Sequence, residues 1–156
     1  MKESKETLQQ YVGDMLAVDK HIHETVRRHR DDKQVQADAE THQLLSRVES
    51  TFDALIEELE QLLDRLGGSA SSPVKDAVAS TVGALGSMYD KLRTETVSKM
   101  LRDDYTTLGL AAISYTMLNT TGHALNDPAT AQIAARHLRQ ITPLITGVSR
   151  IIPVVV

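Results

Sequence analysis

Three ionisable residues stand where the hydrophobic pattern of this chain asks for Leu or Val. Their types are those that exchange protons or ligate metals. One apolar stripe runs Leu8, Val12, Met15, Asp19, Ile22, Val26, and a second runs Val97, Leu101, Asp104, Leu108, Ala111, Tyr115, Leu118. A third runs Ala134, His137, Ile141, Leu144, Val148, Ile151. Each advances by alternating three- and four-residue steps, the spacing that keeps side chains on one helix face. A carboxylate or imidazole buried alone is costly, so each of these groups needs a partner. Either they satisfy one another, or they hold something between the helices.

The elements that must position them follow from composition and punctuation. A chain of 156 residues suits one domain, 1–156, with one sizeable core. Ala, Leu, Val, Ile and Met supply the apolar content, Phe52 is the only Phe, and Trp is absent. Few β-branched runs alternate at period two, so the expected class is all-α. A net charge of −4 argues against a nucleic-acid partner, which attracts a basic excess. The absence of cysteine excludes disulfides, thiolate metal sites and thiol nucleophiles, and suits a reducing cytoplasm. Met1 to Gln10 is too polar for a signal peptide, and the nearly apolar stretch Leu108 to Leu118 is too short to span a bilayer. A soluble cytoplasmic protein with no membrane insertion is expected.

Helices are expected over about 4–30, 32–66, 91–125 and 128–152, with a short helix at about 73–87 in a crossover. The second is the most regular, with Leu44, Val48, Phe52, Leu55, Leu59, Leu62 and Leu66 inward. Its outward positions carry Glu57, Glu58, Glu60, Asp64 and Arg65, and Gly67–Gly68 supplies a stop. Ser72 reads as a cap with Pro73 in the first turn after it, while Gly83 and Gly86 weaken the segment that follows. Asn126, Asp127 and Pro128 form a stop, a cap and a start, and Pro143 should kink the last helix. The cluster Arg27, Arg28, His29, Arg30 complements the negative end of the first helix dipole. Asp31 and Asp32 cancel it as a polyanion patch and make good N-caps for the next helix. Tight turns join the first and last pairs of helices, and a long connection joins the pairs. Two antiparallel hairpins with one long crossover describe a ferritin-like four-helix bundle.

At this point the chain resembles the ferritin-like superfamily, most closely the bacterial stress-associated ferritin-like proteins of unknown function. The resemblance rests on Tyr11 to Glu24 (YVGDMLAVDKHIHE), Ala39 to Leu45 (AETHQLL) and Asp103 to Leu125. It implies a dinuclear metal centre built from carboxylates and histidines of all four helices. On this chain it would use Asp19 on the first helix and His42 on the second, where the partner glutamate falls at Leu45, which cannot ligate. The paired glutamates of the third helix fall near Asp103 and Thr106, whereas the stripe points to Asp104 as the inward residue. The acidic cluster of the fourth helix, near Arg139 to Ile141, is absent, leaving His137. A carboxylate-bridged di-iron site takes about six protein ligands with Glu-x-x-His pairs, and this chain has no Glu-x-x-His.

Asp19 therefore reads either as a surviving ligand or as the partner of a histidine or tyrosine hydroxyl in a closed network. Asp104 and His137 are natural partners for a metal-free carboxylate–imidazole pair. The competing site is a single Fe, Mn or Zn ion held by Asp19, His42, Asp104 and His137. His21 and His23 face apart, His123 falls near a helix end, and Tyr105 and Tyr115 read as packing residues. No Ser–His–Asp spacing or phosphate loop supports hydrolase or nucleotide chemistry. The uncharged tail Ile151 to Val156 reads as packing over the bundle end or, preferably, as an interface of a homo-oligomer such as a dimer. The expected function is that of a non-catalytic structural or interaction protein with a lost metal centre and no cofactor. The alternative is a metal-binding protein with weak oxidoreductase activity.

Overall fold

Short acidic side chains set where the helices of the first hairpin start. Asp32 accepts from Gln34 N at 2.8 Å, and Asp38 accepts from Glu40 N and Thr41 N at 3.1 and 3.2 Å. Each thereby satisfies amides that a helix N-terminus leaves free. The computed structural model describes residues 2–69 and 96–156. Within them lie α1 (Lys2–Arg30), a single-turn α2 (Lys33–Gln36), α3 (Ala39–Arg65), α4 (Val97–Ala124) and α5 (Pro128–Val155). Where one helix from 32 to 66 was expected, two aspartate caps divide it into α2 and α3. The short helix expected at 73–87, and its Ser72 and Pro73 start, lie outside the described residues.

Helix ends follow the left-handed residues. Gly67 has φ 78°, and the bonds Gly68 N to Leu63 O and Gly67 N to Asp64 O close α3 in a Schellman motif. Asn126 does the same for α4 at φ 54°, with Asp127 N to Gly122 O and Asn126 N to His123 O. Asp127 then caps α5 by accepting from Thr130 N at 2.8 Å, with Pro128 in the first turn. This turn brings α4 and α5 so close that a Cβ on Gly122 would sit 2.7 Å from Ala131 N. Helix α5 runs on through Pro143 and Pro153.

α1 packs against α3 and α4, and α5 against the same two helices. Contacts fix the directions. Gln9 at the start of α1 bonds the Leu66 carbonyl at the end of α3, and His29 at the end of α1 bonds Asp104 near the start of α4. α1 is thus antiparallel to both neighbours. On α5, His137 meets Glu58 while Gly147 meets Leu44, so α3 and α5 are antiparallel too. It follows that α3 and α4 run parallel, and the end of one lies at the opposite end of the bundle from the start of the other. Leu16, Ile22, Leu45, Phe52, Leu55, Leu101 and Leu108 fill the core, each buried completely or within 1 % of it. Each contributes about 1.5–3 kcal/mol of transfer free energy. No helix among the described residues is long and apolar enough to cross a membrane.

Candidate functional site

All three misplaced ionisable residues, Asp19, Asp104 and His137, are fully buried. They divide between two levels of the bundle. At the middle level the Asp19 carboxyl of α1 and the Tyr115 hydroxyl of α4 share a hydrogen bond. The Tyr115 oxygen lies 3.0 Å from His137 Nδ1 of α5, and His137 Nε2 lies 3.2 Å from Glu58 Oε2 of α3. Glu58 Oε2 also receives Arg136 Nη2. One residue from each long helix therefore joins a single chain of hydrogen bonds that starts in the core and ends in solvent. The Tyr115 and His137 rings meet edge to face with centroids 5.1 Å apart, which fixes both orientations.

Burial shapes the protonation of each member. The Asp19 carboxyl is pushed up to about 8 by desolvation, against the lowering effect of its bond to Tyr115. Its second oxygen, Oδ1, has no hydrogen-bond partner among the described residues, which a neutral carboxyl tolerates far better than a carboxylate. Desolvation also raises the Tyr115 hydroxyl well above its ordinary range, with the Asp19 charge and hydrogen bond adding to it. His137 is lowered by burial, opposed by Glu58. At Glu58 burial is the largest single effect and raises the carboxyl, but the hydrogen bonds and charges of Arg136 and His137 together outweigh it and hold the carboxyl below its usual range. The negative charge of the chain thus sits at its surface end.

The second level is a buried pair. Asp104 Oδ1 and His29 Nδ1 are 2.9 Å apart, with 0 % and 3 % of their side chains exposed. Burial raises the Asp104 carboxyl, opposed by the bond to and charge of His29. Asp104 lies eleven residues from Tyr115 on α4, about 16 Å along the axis. Asp104 and His137 are therefore not each other's partners, as the stripes had suggested. Asp104 pairs with His29, and His137 pairs with Tyr115 and Glu58. Of Asp19, His42, Asp104 and His137, the fold brings together Asp19 and His137, through Tyr115. His42 lies half-buried in the first turn of α3, sixteen residues or about 24 Å from Glu58.

Asp104 rather than Asp103 faces the core, since Asp103 takes Arg102 at the surface. Leu45 is core, while the Thr106 hydroxyl donates back to the Arg102 carbonyl. Among the described residues no three His, Asp or Glu side chains gather as a metal ion would require. Sequence reasoning missed His29 and Glu58. His29 sits one three-residue step beyond Val26, so extending the first stripe would have reached it. Glu58 sits beside Leu55, Leu59 and Leu62 at the edge of the α3 stripe, which marks a flank position. His23 is half-buried against Asp53 at 2.7 Å, and Tyr105 is exposed.

The fold has counterparts among solved structures. It superposes on a Dps homologue from the archaeon Halobacterium salinarum with a TM-score of 0.75, covering 96% of this chain and 81% of that one. The fold is ferritin-like, of the Dps type. Dps from Thermosynechococcus elongatus gives a TM-score of 0.74, covering 95% of this chain and 91% of that one. Identities are 17% and 14%, so the likeness speaks for the Dps-type fold alone. No protein-family model and no curated protein matches this chain.

Proposed function

We propose that this chain is a non-catalytic ferritin-like protein, stress-associated and structural or interaction-mediating, in which a hydrogen-bonded network stands where a dinuclear metal centre is lost. One observation carries the reading: the mid-bundle groups are engaged with one another. Asp19 is engaged by Tyr115, and His137 uses both ring nitrogens. The donor set does not fit a dinuclear centre. Such a centre needs about six ligands including Glu-x-x-His pairs, and Leu45 and Thr106 supply none of them. The stress association rests on the resemblance of Tyr11–Glu24, Ala39–Leu45 and Asp103–Leu125.

The protein assembles with copies of itself. From Tyr105 to Asn126 the sequence holds no Asp, Glu, Lys or Arg, and Tyr105, Leu110, Ile113 and Met117 of α4 are exposed. A helix apolar on its outer face is normally covered. The C-terminal tail is a smaller contributor, because Ile151 is buried and Ile152 and Val155 pack on the core, leaving Val154 and Val156 exposed.

The competing reading is a single Fe, Mn or Zn ion supporting weak oxidoreductase chemistry; of the candidates Asp19, His42, Asp104 and His137 it would draw on Asp19 and His137, since the other two lie at other levels of the bundle. Metal content decides between them. Protein grown with added iron, manganese and zinc, and purified without chelator, should carry far less than one ion per chain. Asp19→Leu should be as stable as the parent or more so, because Tyr115 can still donate to His137. One ion per chain, lost on Asp19→Leu, would overturn the proposal.

A further inference from the structure

Asp19 has no exposed surface, yet it is the start of an unbroken chain that ends at a carboxylate in water. Counting donors and acceptors orders the protons along it. Glu58 is held as a carboxylate by Arg136 and accepts, so His137 Nε2 must carry hydrogen and donate to it. A neutral His137 then has a bare Nδ1, which accepts from the Tyr115 hydroxyl. Tyr115, having spent its hydrogen, can only accept from Asp19, so the Asp19 carboxyl is the acid that donates. Every bond has one donor and one acceptor in this arrangement, and no charge is left in the core. The reverse order, with Tyr115 donating to an Asp19 carboxylate and His137 Nδ1 donating to Tyr115, leaves Nε2 facing Glu58. It then needs a proton on Glu58 or a second one on His137.

The two orders with neutral His137 differ by one proton, held by Asp19 in the first and by Glu58 in the second. We propose that Asp19, Tyr115, His137 and Glu58 form a one-proton relay, with Asp19 the buried proton store and Glu58 its port to solvent. In one passage the Asp19 O–H breaks as a Tyr115 O–H forms, and the original Tyr115 O–H breaks as His137 Nδ1–H forms. His137 Nε2–H breaks as Glu58 O–H forms. Atoms and charge balance with no oxidant or reductant, and His137 changes tautomer. Water returns the proton at Glu58, which lines a shallow surface groove with Gln61, Leu62, Arg65, Ile133 and Arg136. The charged and titratable groups facing the relay are Glu58 of α3 and Arg136 of α5, besides its own members on α1 and α4. The relay makes the core of the bundle responsive to what neutralises or displaces the Glu58–Arg136 pair.

The relay rests on the metal-free reading of the site, and the test uses metal-free protein so that the two can fail separately. Infrared spectroscopy in heavy water follows the carbonyl band of a buried carboxylic acid, assigned by its loss in Asp19→Asn. Its shift on deuteration reports exchange of the Asp19 proton, timed against the backbone amides of Leu16 and Val18 as a control for helix opening. In the parent the acid should exchange well before those amides. Glu58→Gln keeps an acceptor for His137 Nε2–H but cannot take the proton, and should slow exchange by about tenfold or more. Tyr115→Phe should slow it equally, and 15N NMR of the parent should find His137 as the Nε2–H tautomer. An acid band whose exchange ignores Glu58→Gln, or an Nδ1–H tautomer in the parent, would overturn the relay. Bound metal in the purified protein would instead overturn the site reading beneath it.

Discussion

The bundle buries two polar groups of similar composition in different ways, and the contrast explains what each can do. His29 of α1 and Asp104 of α4 form a buried hydrogen-bonded pair in the core. Asp19 stands at the end of a four-membered chain whose charge is displaced to Glu58 and Arg136 at the surface. The pair ties α1 to α4 at one level, while the chain ties all four long helices at another. Burial alone does not give Asp19 its role; its partners lead on to water.

The largest expected effect falls on the His29–Asp104 pair. His29→Ala leaves Asp104 without its partner in the core and should cost about 3 kcal/mol or more in chemical denaturation. Adding Asp104→Leu should restore much of that loss. Gly122→Ala separates the two sites by another route. Its Cβ would press on Ala131 and widen the α4–α5 spacing that holds Tyr115 on His137. The cost should be about 1–3 kcal/mol, with the His137 15N signals shifted and those of His29 unchanged.

Next comes pH. Asp19 holds its proton to about pH 8 in the fold, against 3.8 ordinarily. Between those values the folded state binds the extra proton. Its contribution, complete below about pH 4, is therefore lost as pH rises and levels off above about 8. The slope is about 1.4 kcal/mol per pH unit for one proton. Subtracting the denaturation profile of Asp19→Asn from that of the parent should isolate this decline, since Asp104 contributes equally to both. A flat difference would mean that Asp19 titrates alike in the folded and unfolded chain, against its raised value. The smallest effect on stability should come from Ile113→Glu on the outer face of α4. Folding should change by no more than about 0.5 kcal/mol, while sedimentation should show a smaller assembly.

Much of this was legible in the sequence. The burial of Asp19, Asp104 and His137 follows from their places on the stripes, and the caps at Asp127 and Gly67 from local turn chemistry. Pairing was not legible, because it depends on how far one helix slides along another. Asp104 lies level with His29 rather than with His137, and no spacing within a single helix encodes that register. His29 was further hidden among three arginines, which made it look like a dipole complement, and Glu58 among glutamates that do face water. The α2–α3 break escaped because four residues of helix leave no periodicity to read, although Asp38 could have been weighed as a cap.

On the proposed function, the mid-bundle groups are satisfied by one another and not by a metal. Titration of iron(II), manganese(II) or zinc into 15N-histidine-labelled protein at neutral pH tests it most directly. His137 should keep its Nε2–H tautomer and its signals to several equivalents of metal. Loss of that hydrogen with saturation at one equivalent, abolished by Asp19→Leu, would contradict it.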